Sequence, residues 1–73
     1  MREQMPGTQY VRADDVRVGD TAVEADGYPL PVIEVRRERG CVVIVCRCDG
    51  PIRGTPSCRV RPSTMVRIET RKA

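Results

Sequence analysis

Turn signals recur along this 73-residue chain at intervals of roughly eight to twelve residues, and short valine-rich runs separate them. No window carries the apolar stripe at i, i+3, i+4 and i+7 that marks an amphipathic helix. Regularly spaced turns between short apolar runs are typical of an all-β sandwich or barrel. The turn signals are Val18-Gly19-Asp20, Asp26-Gly27, Arg39-Gly40, Asp49-Gly50 and Arg53-Gly54.

The runs between these turns predict the strands and their limits. Asp26-Gly27 is a strong hairpin signal because glycine tolerates positive φ. Pro29 and Pro31 confine the start of the next strand to an edge or a bulge, because proline cannot donate to a ladder. Residues 62–64 (Pro-Ser-Thr) predict a short 3-10 turn before the last strand. We expect a short first strand at 9–13 and main strands at 20–25, 30–38, 41–48, 57–61 and 65–70.

Five main strands joined by tight turns, with the local patterns VRVGD at 16–20 and RPSTMV at 61–66, resemble the SH3-like small barrels. KOW-type and Tudor-like barrels share this general pattern. The resemblance covers residues 14–70 and implies an all-β, five-stranded SH3-like barrel. An OB-fold is the alternative, although it normally has longer strands. We therefore expect a flexible N-terminal arm at 1–8, one barrel domain at 9–70 and a frayed tail at 71–73.

Aromatic residues are scarce, with two tyrosines and no phenylalanine or tryptophan. The core must then be built from aliphatic residues, methionine and cysteine. The same scarcity argues against two functions of small barrels. Grooves for proline-rich peptides are lined by aromatic side chains, and cages for methylated side chains are built from aromatic rings.

Three of the four cysteines lie in the run CVVIVCRC at 41–48. Alternation in a strand places Val42, Ile44, Cys46 and Cys48 on one face. A register that pairs residue 48 with residue 58 would complete an apolar patch with Cys58 and Val60. The patch favours reduced core cysteines, and a disulfide between Cys48 and Cys58 is the geometric alternative.

A four-cysteine zinc site does not fit this spacing. Cys41 and Cys46 are five residues apart along a strand, roughly 16 Å, and face opposite ways. Sulfurs that share one zinc lie about 4 Å apart. The chain has no histidine, no Walker motif and no dinucleotide fingerprint. We expect no metal, no cofactor and no enzymatic activity.

Charge is unevenly distributed along the chain. Residues 1–40 carry six arginines and eight acids, whereas residues 41–73 carry seven basic residues and two acids. Alternation in the last strands predicts an arginine face that binds nucleic acid or a nucleoprotein assembly, because guanidinium groups bind phosphate bidentately. The alternative is an ordinary solvated face, since twelve of the thirteen basic residues are arginine and this bias resembles that of high-GC actinobacterial and phage proteins. The predicted nucleic-acid-binding residues are Arg47, Arg53, Arg59, Arg61 and Arg67.

Val43 and Val45 lie on the face of the 41–48 strand opposite the cysteines. Either that strand is covered on both sides, or its outer face docks a partner. The second reading predicts a protein–protein module, such as a phage-type inhibitor or adaptor, or a homodimer. The N-terminus lacks an apolar signal segment and no run reaches the roughly 20 residues of a membrane span, so we expect a cytoplasmic protein without membrane contact.

Overall fold

The computed structural model describes residues 7–48 and 54–71, and almost all of its regular structure is antiparallel sheet. Six strands are joined in the order β1-β6-β2-β3-β4-β5, with one 3-10 helix after the first strand. The elements are β1 (Thr8–Arg12), the 3-10 helix (Ala13–Asp15), β2 (Thr21–Val23), β3 (Pro29–Glu38), β4 (Cys41–Cys46), β5 (Ser57–Val60) and β6 (Met65–Glu69).

The all-β class is confirmed, with a sixth strand in the sheet because β1 pairs along its whole length with β6. The 3-10 helix lies at Ala13–Asp15, and not before the last strand as expected. At 62–64 the chain makes a tight turn closed by a single bond, in which the Thr64 N–H donates to the Arg61 carbonyl. The turn is too short to add a second such bond before β6 begins.

The sheet is curled, so that its inner face encloses one core. Side chains from all six strands pack in a single apolar cluster, which a flat sheet of six strands could not bring together. Residues 29–31 of β3 pair with β2, and the strand from Val32 to Glu38 pairs with β4. A bulge between Val32 and Glu34 bends the strand just beyond this change of partner. Val42 and Ile68 are the largest side chains that are fully buried among the described residues.

Hydrogen bonds join Arg71, at the C-terminal end of the described residues, to the turn that follows Val16. Asp20 is buried, and its carboxylate accepts hydrogen bonds from the Arg17 N–H at 2.9 Å and from the Arg71 guanidinium at 2.9 and 3.0 Å. The Arg71 side chain is thus bonded to this turn, although residue 71 was expected to begin a frayed tail. Val16 is buried in the core, whereas Val18 is 63% exposed at the corner of this turn.

Residues 7 and 8 also belong to the sheet. The Thr70 N–H donates to the Gly7 carbonyl at 2.7 Å, and Thr8 pairs with Glu69. The remainder of the expected N-terminal arm lies outside the described residues.

The register of β4 and β5 differs from the expected one by four residues. Ile44, and not Cys48, lies opposite Cys58, and Val42 lies opposite Val60. The Cys46 N–H donates to the Pro56 carbonyl, but proline has no N–H to return the bond, so the regular ladder stops there. This register keeps Cys58 on the inner side of its strand, yet Cys58 is exposed because β5 lies at the end of the strand order.

A groove follows the seam where β5 faces β2 and β6 across the curled sheet. It has a volume of about 220 Å³ and a floor that includes Leu30, Ile44 and Val66. The thiols of Cys46 and Cys58 both line it, one buried and one exposed. Burial raises the pKa of the Cys46 thiol, and Cys58 and Glu24 raise it further. All four cysteines are free.

We expect Asp20→Asn to lower the free energy of unfolding by about 1–3 kcal/mol, because it removes a buried charged acceptor of three hydrogen bonds. Bonds from Arg71 hold the pKa of Asp20 below its usual value, so the ionised carboxylate favours folding. This contribution is present above the unfolded pKa of about 3.9 and is lost as the pH falls through the folded value.

Urea unfolding at pH 7 and at a series of acidic pH values measures both effects. Asp15→Asn is the matched control, because Asp15 also faces Arg71 but its side chain is 52% exposed. An equal loss of stability in the two variants would contradict a special role for Asp20.

The four thiols should react with iodoacetamide in an order set by exposure and pKa. Cys58 is exposed and should be alkylated first, whereas Cys46 is buried with a raised pKa and should be alkylated last. Peptide mass spectrometry over a time course reads the order. Modification of Cys46 before Cys58 in the folded protein would contradict the burial of Cys46 and the exposure of Cys58.

Candidate nucleic-acid interface

Half of the arginines in the described part of the chain are neutralised by carboxylates. Each lies within 4 Å of an aspartate or glutamate oxygen. Their charges are compensated locally and offer little net attraction to an anion. These arginines are Arg12, Arg17, Arg36, Arg59 and Arg71.

Four arginines have no carboxylate within that distance among the residues that the structure describes: Arg37, Arg39, Arg61 and Arg67. One of them, Arg37, donates to the backbone carbonyl of Asp14 at 2.8 Å. A carbonyl is a dipole and does not cancel the positive charge, so all four remain net cationic.

Three of these four arginines gather at one end of the sheet, which we call the barrel end: Arg37, Arg39 and Arg61. Arg37, Val42 and Val60 lie side by side on three neighbouring strands. Arg61 follows Val60 and is therefore one residue from this row. Arg39 and Gly40 form the two-residue turn between β3 and β4. Neighbouring strands lie about 4.8 Å apart, so the three backbones fall within roughly two strand spacings.

Local structure fixes this arrangement. Arg39 and Gly40 have φ values of 50° and 76°, as a type I′ hairpin turn requires at both central positions. The Asp14 N–H donates to the Pro62 carbonyl, while the Asp14 carbonyl accepts from Arg37. The 3-10 helix thereby ties the β3–β4 hairpin to the turn that follows Arg61.

A chain of ion pairs covers the outer face of β3, β4 and β5. Arg36 lies between Glu34 at 2.7 Å and Glu38 at 2.9 Å, and Glu38 also pairs with Arg59 at 3.2 Å. The hydrogen bonds that Arg36 donates to the two glutamates raise the pKa of its guanidinium group. Arg59, although predicted as a phosphate ligand, is thus already paired.

The same ion pairs lie over the valines expected to face a partner. Val43 is opposite Arg36 on one side and Arg59 on the other, and it is 5% exposed. Val45 is half-buried between Glu34 and Ser57. The first interpretation, a strand covered on both faces, holds for Val43. The second, that Val43 and Val45 bind a partner, stays a prediction.

The predicted arginines do not form one face. Arg61 lies at the barrel end, and Arg47 follows β4 at its other end, six residues or roughly 20 Å from Cys41. Arg67 lies on β6 opposite Tyr10. Arg53 lies outside the described residues.

Sequence reasoning missed Arg37 and Arg39 as members of a site. The run Arg36-Arg37-Glu38-Arg39-Gly40 was a usable signal, since it places three arginines beside a predicted hairpin turn. Alternation alone could not show that Arg36 is neutralised and the other two are not.

Within residues 7–48 and 54–71, no three cysteine, aspartate or glutamate side chains come close enough to hold a metal ion together. The expectation of no metal or cofactor stays a prediction. In the same part of the chain, no helix has the length and apolar character needed to cross a membrane.

Comparison with known proteins finds a likeness of fold. No protein-family model and no curated protein matches the sequence. Among solved structures, the chain is similar to eukaryotic translation initiation factor 5A from Methanococcus jannaschii, with a TM-score of 0.69 and 19% identity. The match covers 94% of this chain and 55% of that one, so the chain spans about half the length of the protein it resembles. This likeness supports the barrel-like all-β fold.

Proposed function

We propose that this chain is a non-catalytic nucleic-acid-binding module that contacts phosphates through the barrel end. The observation that carries the proposal is the gathering of Arg37, Arg39 and Arg61, three exposed arginines without carboxylate partners among the described residues. Guanidinium groups recognise phosphate through paired N–H donors.

The size of the site sets the strength of binding. Three phosphate contacts predict a salt slope of about −2.7 on duplex DNA, so affinity should fall about 40-fold between 50 and 200 mM salt. This is a weak, salt-sensitive interaction, suited to a module that adds contacts within a larger nucleoprotein assembly.

The structural comparison is consistent with such a setting. The similar solved structure is, by its name, a translation initiation factor. At 19% identity no functional residue is carried from that protein to this chain. The proposal therefore rests on the charges of this chain and uses the comparison as support for the fold.

We expect Arg39→Glu and Arg61→Glu each to weaken binding to a fluorescent duplex at 50 mM salt, and the double variant to weaken it at least tenfold. Each charge reversal removes one phosphate contact, so the magnitude of the salt slope should decrease by about 0.9 per substitution. Fluorescence anisotropy over a salt series measures both quantities. Unfolding midpoints should hardly change, because both side chains are exposed and away from the core.

Arg47→Glu is the control, since it makes the same change of net charge at the far end of β4. It should reduce affinity less than either barrel-end substitution. An equal loss in Arg47→Glu would show that net charge alone governs binding. If no duplex or single strand binds at 50 mM salt, the proposal is wrong and the protein–protein alternative takes its place.

A further inference from the structure

Two large side chains stand exposed on the outer face of β1 and β6. Tyr10 is 65% exposed and Met65 is 55% exposed. Tyr10 lies directly opposite Arg67, and Met65 lies directly opposite Arg12. Directly opposed residues on one face have Cβ atoms about 4.5–5.5 Å apart, so these four side chains form one continuous patch.

The side chains at the centre of this patch have no partners within the described residues. No hydrogen bond, ion pair or ring contact engages the side chain of Tyr10 or Arg67 there. The fold uses neither side chain for its core. Tyr10 therefore presents a ring with an open face next to an uncompensated guanidinium group.

We propose that Tyr10 and Arg67 form a stacking platform for an unpaired base of single-stranded RNA, an inference that rests on the nucleic-acid-binding function proposed above. A base stacks on an aromatic ring regardless of its sequence, and a neighbouring arginine binds the phosphate. In a duplex the base faces are already stacked, so the platform selects single strands.

A short turn connects the patch to the barrel end. Met65 follows the turn in which the Thr64 N–H bonds to the Arg61 carbonyl, and Arg12 is opposite Met65. Tyr10 lies two residues, about 7 Å, further along β1. A strand of nucleic acid whose phosphates contact Arg61 would thus pass over Met65 and reach the ring of Tyr10.

A carboxylate at the border of the platform favours ribose. Glu69 is exposed on the same face, two residues from Arg67, and no basic side chain pairs with it among the described residues. Its oxygens can accept a hydrogen bond from a ribose 2′-hydroxyl, which deoxyribose lacks. The same charge repels a second phosphate, so the sugar is the group that fits beside it.

The test uses Tyr10 as its own reporter. The chain has two tyrosines and no tryptophan, so Tyr28→Phe leaves Tyr10 as the sole strong fluorophore. Titration with an oligouridine RNA at 50 mM salt should quench its emission after correction for absorbance. An abasic oligonucleotide of equal length should bind through its phosphates without quenching.

Substitutions then separate the platform from the barrel end. Tyr10→Ala should weaken oligouridine binding about tenfold and leave duplex binding unchanged, while Tyr10→Phe should bind like the parent. Deoxyuridine oligomers should bind more weakly than the RNA, and Glu69→Gln should narrow that difference. Circular dichroism of each variant tests whether it is folded. The quenching measurement retains Tyr10, so it tests the platform even if Tyr10→Ala fails to fold.

The outcomes are distinguishable. If Tyr10→Ala binds oligouridine normally while the Arg39 and Arg61 variants lose affinity, the platform is wrong and the proposed function stands. Equal affinity for RNA and DNA would overturn the preference for ribose. If no nucleic acid binds at 50 mM salt, both proposals fail together.

Discussion

Strand β4 is buried on both of its faces, and the rest of the structure is arranged around that requirement. Its inner residues meet the other strands of the curled sheet, whereas on the outer face Val43 lies between Arg36 and Arg59. A chain without phenylalanine or tryptophan cannot fill a core with a few large rings. Small residues packed from both sides supply the burial instead, and the alkyl stems of arginines can cover apolar surface while their charged ends stay in water.

This use of arginine explains why net charge alone is a poor guide to a binding surface here. The arginines that cover β4 are fixed by Glu34 and Glu38, and Arg71 is fixed by Asp20. Compensated in this way, they stabilise the fold and leave little field in the solvent. A modest charge of +3 can still produce a local basic surface, because three of the four uncompensated arginines in the described part of the chain are grouped at the barrel end.

Much of the fold could be predicted from the sequence because its signals are local. Glycine turns and two-residue alternation specify hairpins within ten residues, so the main strands and the Arg39-Gly40 turn are where the pattern indicates. Alternation fixes which face a residue occupies but not which residue it meets. The predicted β4–β5 register was therefore wrong by four residues, although Cys58 lies on the predicted face of its strand.

The site depends on contacts that no local pattern encodes. Asp20 and Arg71 are 51 residues apart, and Arg37 reaches Asp14 across 23. Such long-range pairs decide which arginines are left without a carboxylate partner. The sequence could therefore predict that the candidate site consists of arginines, but of its three members it identified only Arg61. Tyr10 and Arg67 meet because β1 adds to β6, a pairing between the two ends of the chain.

Arg39 carries a further consequence of the β3–β4 turn. Its φ of 50° lies in the left-handed region, where a residue with a Cβ is strained by about 1–2 kcal/mol and glycine or asparagine is preferred. An arginine in that position lowers the stability of the hairpin while projecting its charge from the tip of the molecule. Selection for stability alone would favour glycine or asparagine there. Under the proposed function, this turn is a point where thermodynamic stability and phosphate binding place opposite demands on one residue.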